Sequence, residues 1–174
     1  MRYCSFFTVN DKTGAVMATD AGICRIILPG DTDQQLYECS RKTQSSPLTE
    51  EAAAMLTAYI RGETICFSAL PVDLGAVTPF RAEILKMIRV IPAGEVRSYG
   101  EIAMMAGIPR AARAIGGAMA SNPIPIIIPC HRIVAGDGKL TGFSAAGGIS
   151  FKKLLLAMEG IDFKGNIVRK TCRL

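Results

Sequence analysis

A change in local sequence pattern near residues 71–77 divides the chain into two parts of different character. Before it, three short runs rich in β-branched and aromatic side chains are separated by turn-forming Asn, Asp and Gly. Farther on, Thr49 can cap a helix that reaches Arg61 and stops at Gly62. The pattern predicts an α/β domain over residues 1–76, without a catalytic motif. Its predicted strands are Tyr3–Val9, Ala15–Thr19 and Ile23–Leu28.

Residues 77–174 predict a second domain that is largely helical. Thr78 and Pro79 follow the preferred order at a helix start, a cap residue and then proline. The segment 92–94 (PAG) ends this helix. The helical spacing of its apolar residues predicts that this helix has one apolar face. The residues of that face are Phe80, Ile84, Met87, Ile88 and Ile91.

Two short helices joined by a tight turn follow in the second part. Ser98 and Glu101 have the spacing of a capping box, which predicts a helix from Ser98 to about Ala106 that stops at Gly107. A second helix is predicted from Pro109 to about Ala120, and the pair is typical of a helix-turn-helix. The second helix is built mainly from small side chains, so it can approach another backbone closely. Two interpretations stay open: insertion of an arginine into a DNA minor groove, or burial through the alanines.

The charge differs between the two parts. Residues 1–77 contain six Lys/Arg and nine Asp/Glu, a net charge of −3, whereas residues 78–174 contain fourteen and six, a net charge of +8. A strongly basic half indicates a polyanionic partner. A basic surface without a partner would have the same composition.

Cellular location and metal chemistry are constrained by composition. No apolar run approaches the ~20 residues of a membrane span, and the segment Met1–Asp11 lacks the pattern of a signal peptide. We therefore expect a cytoplasmic protein. The six cysteines form no Cys-x-x-Cys pair and the chain has one histidine, which argues against a zinc site. We expect five of the cysteines to be small core residues; whether any of them pair stays open.

The most informative segment for chemistry runs from Asn122 to Val134. An apolar run bracketed by prolines leads to Cys130, which is followed directly by the single histidine, His131. Proline restricts its own φ and the preceding residue, so this loop is stiff. A thiolate is the reactive form of cysteine, and a nearby imidazole can take its proton. Adjacent side chains rarely point the same way, so a bridging water is the expected link between the two.

Glu159 is the candidate third group. It falls in the last turn of an amphipathic helix on which Phe151, Leu154, Leu155 and Met158 repeat at helical spacing. The helix dipole disfavours an anion there by about 0.3–1 kcal/mol. A hydrogen bond from His131 would explain the position, and an exposed glutamate that tolerates a screened penalty is the other interpretation.

These motifs resemble those of the O6-alkylguanine-DNA alkyltransferases. The signature is PCHRI at residues 129–133, and the resemblance runs from about Thr78 to Gly160. It includes the segments 91–94 (IPAG), 98–99 (SY), 112–119 (ARAIGGAM), 122–123 (NP) and 155–160 (LLAMEG). The resemblance implies a ribonuclease-H-like first domain and a winged-helix-like (helix-turn-helix) second domain that binds DNA and carries the catalytic site. The first part resembles the family only in layout.

The resemblance implies a catalytic set. Cys130 is the alkyl acceptor and His131 acts as base through a water. Glu159 completes a relay in which the proton of Cys130 passes through the water to His131. Asn122 braces the turn that carries the cysteine.

The resemblance also implies the residues that contact DNA and the flipped base. Arg113 enters the stack, Tyr99 crowds the phosphate and hydrogen-bonds the base, and Met119 walls the pocket. The backbone carbonyls of Cys130 and Ile133 read the guanine amino group. Ser144 is assigned to the pocket as well, although the segment 142–147 (GFSAAG) departs from the family by a phenylalanine and by its spacing.

The resemblance implies DNA repair by direct damage reversal. The alkyl group of O6-alkylguanine, and by extension of O4-alkylthymine, would pass irreversibly to Cys130 in a single turnover, with base flipping. The expected partner is double-stranded DNA approached through the minor groove by a monomer, with no metal or cofactor. The alternatives are a non-catalytic sensor of alkylated DNA, a cysteine hydrolase and a sequence-reading transcription factor. The last is disfavoured because the second helix has few base-reading side chains.

Overall fold

The computed structural model describes residues 3–31, Leu36 and 44–169. The chain separates into two compact units, Met1–Val77 and Thr78–Leu174. Both combine helices with small sheets, so the predicted mixed α/β class is confirmed. Whether residues 1–76 and 77–174 act as separate domains stays a prediction.

The first unit contains an antiparallel sheet in the order β1-β2-β3. The predicted limits of β1 are confirmed, whereas β2 begins three residues earlier than predicted. Asn10 and Asp11 both adopt positive φ, at 48° and 60°, and they close a two-residue hairpin in which Val9 already pairs with Lys12. The strands are β1 (Tyr3–Val9), β2 (Lys12–Thr19) and β3 (Gly22–Ile27).

Helix α1 (Pro47–Ile60) packs on this sheet, against β1 and β2. The predicted cap, Thr49, was wrong: Ser46 caps the helix, and its Oγ accepts a hydrogen bond from the Thr49 backbone N–H at 3.3 Å. Ser46 precedes Pro47, so this helix starts with a cap residue followed by proline, as the helix that begins after Thr78 does. Thr49 is instead fully buried, with its hydroxyl 2.8 Å from that of Ser5. Gly62, at φ +100°, ends the helix as predicted.

The cysteines of the first unit do not all lie in its core. Cys4 is buried and Cys24 is partly buried, but Cys66 is exposed in the loop after α1. Its Sγ lies 3.1 Å from the hydroxyl of Ser68, so the expectation that five cysteines are core residues was wrong for Cys66. Cys39 and Cys172 lie outside the described residues.

The second unit combines helices with short strands. Strands β4 and β5 pair in parallel, and β6 and β7 form an antiparallel hairpin. The helices are α2 (Pro79–Arg89), α3 (Tyr99–Met105), α4 (Ala112–Ala120) and α5 (Gly148–Met158), with a 3-10 turn at Cys130–Arg132. The strands are β4 (Arg97–Ser98), β5 (Ile133–Val134), β6 (Phe163–Lys164) and β7 (Ile167–Val168).

Helices α3 and α4 pack against each other as a consecutive pair. The predicted capping box is confirmed: the Glu101 N–H donates to Ser98 Oγ at 3.1 Å, and the Ser98 N–H donates to a Glu101 carboxylate oxygen at 2.6 Å. Gly107, at φ +71°, ends the first helix region. The predicted start of the second helix at Pro109 was wrong, because Arg110 adopts φ +77° and interrupts the helical backbone.

The buried faces of α2 and α5 differ from the predicted ones. Helix α2 buries Ile84, Leu85 and Ile88, while Phe80 in its first turn is 44% exposed. On α5 the predicted Leu154 is 50% exposed, and the buried residues are Lys152, Leu155 and Leu156. Three consecutive leucines fit more than one helical face, so packing rather than periodicity selects the face. None of the helices in the described ranges is long and apolar enough to cross a membrane.

Candidate active site

The loop that follows α4 is held rigidly from within. The Asn122 side chain donates from Nδ2 to the Ile128 carbonyl at 2.9 Å and accepts at Oδ1 from the Ile124 N–H at 3.0 Å. Between these anchors, Ile126 adopts φ +72°, a strained conformation for a β-branched residue. The isoleucines at 124, 126, 127 and 128 are all buried. The loop is therefore braced by one side chain and by its own apolar contacts.

Cys130 begins the 3-10 turn directly after this loop and is 8% exposed. Burial raises the pKa of the Cys130 thiol, because the charged thiolate is poorly solvated. A hydrogen bond with the Asn122 side chain and the positive charge of Lys152 both act to lower that pKa. The site therefore contains groups that favour the thiolate against the effect of burial.

His131 and Glu159 are brought together as predicted. Nε2 of the fully buried His131 lies 3.1 Å from Oε1 of Glu159, whose side chain is 3% exposed. The interpretation of Glu159 as a solvated residue was therefore wrong. Burial lowers the pKa of His131, although the carboxylate opposes this. We infer a neutral imidazole at neutral pH that donates from Nε2 to Glu159, which makes Nδ1 the nitrogen able to accept a proton.

Arg132 is a member of this cluster that the sequence analysis missed. Its Nε lies 3.0 and 3.2 Å from the two carboxylate oxygens of Glu159, and Nη2 lies 2.6 Å from Oε1. Nη1 donates to the backbone carbonyl of Ile91. The unfavourable position of Glu159 at a helix C-terminus was a signal that could have pointed to a cation.

Lys152 is the second missed residue. Its side chain is fully buried, and Nζ donates to the carbonyls of Ile133 at 2.5 Å and Thr141 at 2.9 Å. Burial lowers the pKa of Lys152 to about 8, and the nearby Cys130 opposes this shift. No sequence signal identified it, because a lysine within an amphipathic helix is normally assigned to the solvent face.

Cys130 lies in the wall of a cavity of about 430 Å³. The Tyr99 hydroxyl donates to the Thr141 carbonyl at 3.3 Å, and burial raises the pKa of Tyr99. The Phe143 ring packs against the Phe151 ring with centroids 6.2 Å apart. The lining residues are Tyr99, Gly116, Met119, Ala120, Cys130, Thr141, Gly142, Phe143 and Ser144.

The remaining sequence-predicted residues occupy different positions relative to the cavity. Met119 and Ser144 line it, and the Ser144 hydroxyl donates to the Ala120 carbonyl at 3.4 Å. Arg113 is exposed on α4, whose other face buries Ile115, Ala118 and Met119, and insertion of the arginine into DNA stays a prediction. Ile133 is fully buried and is not among the described residues that line the cavity.

Among residues 3–31, Leu36 and 44–169, no group of three His, Cys, Asp or Glu side chains is placed to hold a metal ion.

A cysteine in a cavity wall, followed in the chain by a buried histidine that contacts a buried carboxylate, has the groups expected of a protein with a cysteine nucleophile. The family model described as "6-O-methylguanine DNA methyltransferase, DNA binding domain" matches residues 79–161. This match covers the helix pair, the braced loop and the Cys130–Glu159 cluster.

Relatives extend the similarity beyond that region. The methylated-DNA–protein-cysteine methyltransferase of Haemophilus influenzae is 42% identical over 70% of this chain and 66% of its own length. That of Shigella flexneri is 45% identical over 71% and 68%. The crystal structure of the Mycobacterium tuberculosis O6-methylguanine methyltransferase has a TM-score of 0.74 at 34% identity, covering 91% of this chain and 93% of that one. The crystal structure of Mycobacterium tuberculosis OGT in complex with DNA also has a TM-score of 0.74, at 33% identity.

This chain belongs to the methylated-DNA–protein-cysteine methyltransferase family.

Proposed function

We propose that this protein repairs DNA by direct reversal, moving the alkyl group of O6-alkylguanine onto Cys130. The observation that carries the proposal is that Cys130 lies in a cavity wall and is followed directly in the chain by His131, which contacts the buried carboxylate of Glu159 at 3.1 Å. Family membership supports the same activity, because the relatives are named for transfer to a protein cysteine.

The reaction requires a deprotonated thiol and a leaving guanine. Nδ1 of His131 takes the Sγ proton of Cys130 through a bridging water, while Glu159 holds the imidazole in position. The thiolate attacks the alkyl carbon in line, so the S–C bond forms as the C–O6 bond breaks. The electron pair of that bond leaves with guanine, whose charge a donor such as Tyr99 offsets. Water does not readily cleave the thioether product, so each molecule reacts once.

The cavity would hold a flipped guanine. Met119 forms part of its wall and Ser144 lies at its exposed side. The carbonyl of Cys130 already accepts a hydrogen bond from the Ile133 N–H, and the carbonyl of Ile133 accepts one from the Lys152 ammonium group. Each carbonyl oxygen has a second lone pair. The guanine amino group would therefore donate to carbonyl oxygens that each already accept one hydrogen bond within the protein. Acceptance of O4-alkylthymine stays a prediction.

Contact with DNA would be made by the basic second unit. Arg113, which is exposed on α4, would enter the base stack from the minor groove and fill the gap left by the flipped base. The net charge of +8 over residues 78–174 supports phosphate contacts. A ribonuclease-H-like first unit, a winged-helix-like second unit, a monomeric state and a cytoplasmic location belong to the same proposal.

The test is to mix the protein with excess duplex that carries labelled O6-methylguanine and to follow label on protein. We expect a rise that stops near one methyl group per chain, on the Cys130 peptide. Cys130→Ala should bind the duplex and acquire no label, whereas Cys66→Ala, which removes an exposed cysteine, should behave as wild type. Binding without label would indicate a sensor, and turnover beyond one equivalent would indicate a hydrolase.

A further inference from the structure

Glu159 lies where a carboxylate is difficult to keep ionised. Its side chain is 3% exposed, and the residue caps the C-terminal end of α5, where the helix dipole disfavours negative charge. A buried carboxylate without a compensating charge takes up a proton. A protonated Glu159 would hold the histidine only weakly. The relay therefore needs a cation beside this carboxylate.

His131 does not supply that cation at neutral pH. It is fully buried, and burial lowers its pKa. A neutral imidazole offers one hydrogen bond through Nε2, at 3.1 Å from Oε1 of Glu159, but no charge. Lys152, on the same helix as Glu159, is bonded to the carbonyls of Ile133 and Thr141.

Arg132 has the required charge and geometry. Nε lies 3.0 Å from Oε2 and Nη2 lies 2.6 Å from Oε1 of Glu159. This bidentate contact fixes the plane of the carboxylate. Nη1 donates to the Ile91 carbonyl, which anchors the other side of the guanidinium to the segment after α2. A guanidinium stays charged at physiological pH and well above it.

We propose that Arg132 is a positioning residue of the alkyl-transfer site, which keeps Glu159 ionised and aims its Oε1 at Nε2 of His131. Arg132 then acts on Cys130 only through Glu159 and His131. The inference rests on the proposed function for its meaning in repair. The effect on the thiol can be measured without that function.

The experiment compares wild type, Arg132→Met, Arg132→Lys and Glu159→Gln with the double variant Arg132→Met/Glu159→Gln. Two rates are followed from pH 6 to 10: alkyl transfer from free O6-benzylguanine, and alkylation of the Cys130 peptide by iodoacetamide, quantified by mass spectrometry. The matched control is Arg97→Met, which also removes a guanidinium paired with a carboxylate, Glu95 at 2.8 Å. The charged and titratable groups that surround Cys130, His131 and Glu159 are Arg132, Lys152 and Tyr99.

We expect Arg132→Met to slow both reactions at pH 7 by at least about tenfold, the effect of one pKa unit, and to displace the Cys130 profile to higher pH. Arg132→Lys should recover part of the lost rate, because lysine restores the charge but not the bidentate contact. Arg97→Met should match wild type. In the Glu159→Gln background, Arg132→Met should add less than about twofold, since coupled residues are not additive.

Two results would overturn the inference. One is an unchanged Cys130 profile in folded Arg132→Met, and the other is a full additional loss in the Glu159→Gln background. If circular dichroism shows that Arg132→Met is unfolded, Arg132→Lys decides: a partial loss with a displaced profile supports the role, and a wild-type profile contradicts it. If wild type takes no methyl group from the duplex that carries O6-methylguanine, the proposed function fails, while the iodoacetamide profiles still test the role of Arg132.

Discussion

Replacing Asn122 by alanine should weaken the loop that presents Cys130. The side chain bridges two buried backbone groups, the Ile124 N–H at 3.0 Å and the Ile128 carbonyl at 2.9 Å. The Ile128 carbonyl keeps a second donor, the Cys130 N–H at 2.8 Å, whereas the Ile124 N–H loses the acceptor that Asn122 provides. Loss of the Asn122 side chain should therefore cost more free energy at the Ile124 N–H than at the Ile128 carbonyl.

The magnitude follows from these contacts. Leaving a buried N–H without an acceptor costs about 1–3 kcal/mol, and losing an ordinary hydrogen bond costs about 1 kcal/mol. We therefore expect Asn122→Ala to lower the free energy of unfolding by about 2–4 kcal/mol. The positive φ of Ile126 adds a tendency to relax, because such strain persists only while its surroundings hold it.

The same change should reduce the reactivity of the thiol. The Asn122 hydrogen bond lowers the pKa of Cys130, so its removal lets burial raise that pKa further. At pH 7 the thiolate fraction then falls, by about tenfold for each pKa unit. Urea unfolding followed by circular dichroism measures the first effect, and iodoacetamide alkylation of the Cys130 peptide measures the second.

A matched control lies one residue earlier. Ser121 also donates to two carbonyls, those of Gly117 and Ala118, both at 3.1 Å, but it does not brace the loop. Ser121→Ala should cost less than about 1 kcal/mol and leave the thiol profile unchanged. The bracing role is refuted if folded Asn122→Ala retains wild-type thiol reactivity, or if it is no less stable than Ser121→Ala.

Two further variants test the charges at the site. Lys152→Met should slow alkylation of Cys130 most below pH 8, because the lysine, with a pKa lowered to about 8, is protonated there and favours the thiolate. The ratio of wild-type to variant rate should fall toward one as pH rises through 8; a ratio that is independent of pH, or an equal effect of Lys153→Met, contradicts this. Arg113→Ala should slow repair in duplex DNA by at least about tenfold, since flipping a base costs a few kcal/mol. Transfer from free O6-benzylguanine should change little, because Arg113 lies on the exposed face of α4, and an equal loss on both substrates would argue against insertion into the stack.

Features that depend on a few neighbouring residues were accessible from the sequence. The capping box of Ser98 and Glu101 and the helix stops at Gly62 and Gly107 are local, because caps and positive φ satisfy backbone groups within one or two turns. The stiff, proline-rich approach to Cys130 is local for the same reason. The errors at Ser46 and Arg110 are also local, and they concern only where a helix begins.

The electrostatic partners of the site were decided by tertiary structure. Arg132 and Glu159 are separated by 27 positions, and Lys152 reaches the carbonyl of Ile133 across 19. Their contacts depend on how α5 packs against the 3-10 turn, and the three leucines at 154–156 left that packing open. Residue spacing predicted Cys130 as the nucleophile and His131 as its base, since they are adjacent in the chain. Only the folded chain determines which buried charges hold them, because burial and charge pairing arise from long-range packing.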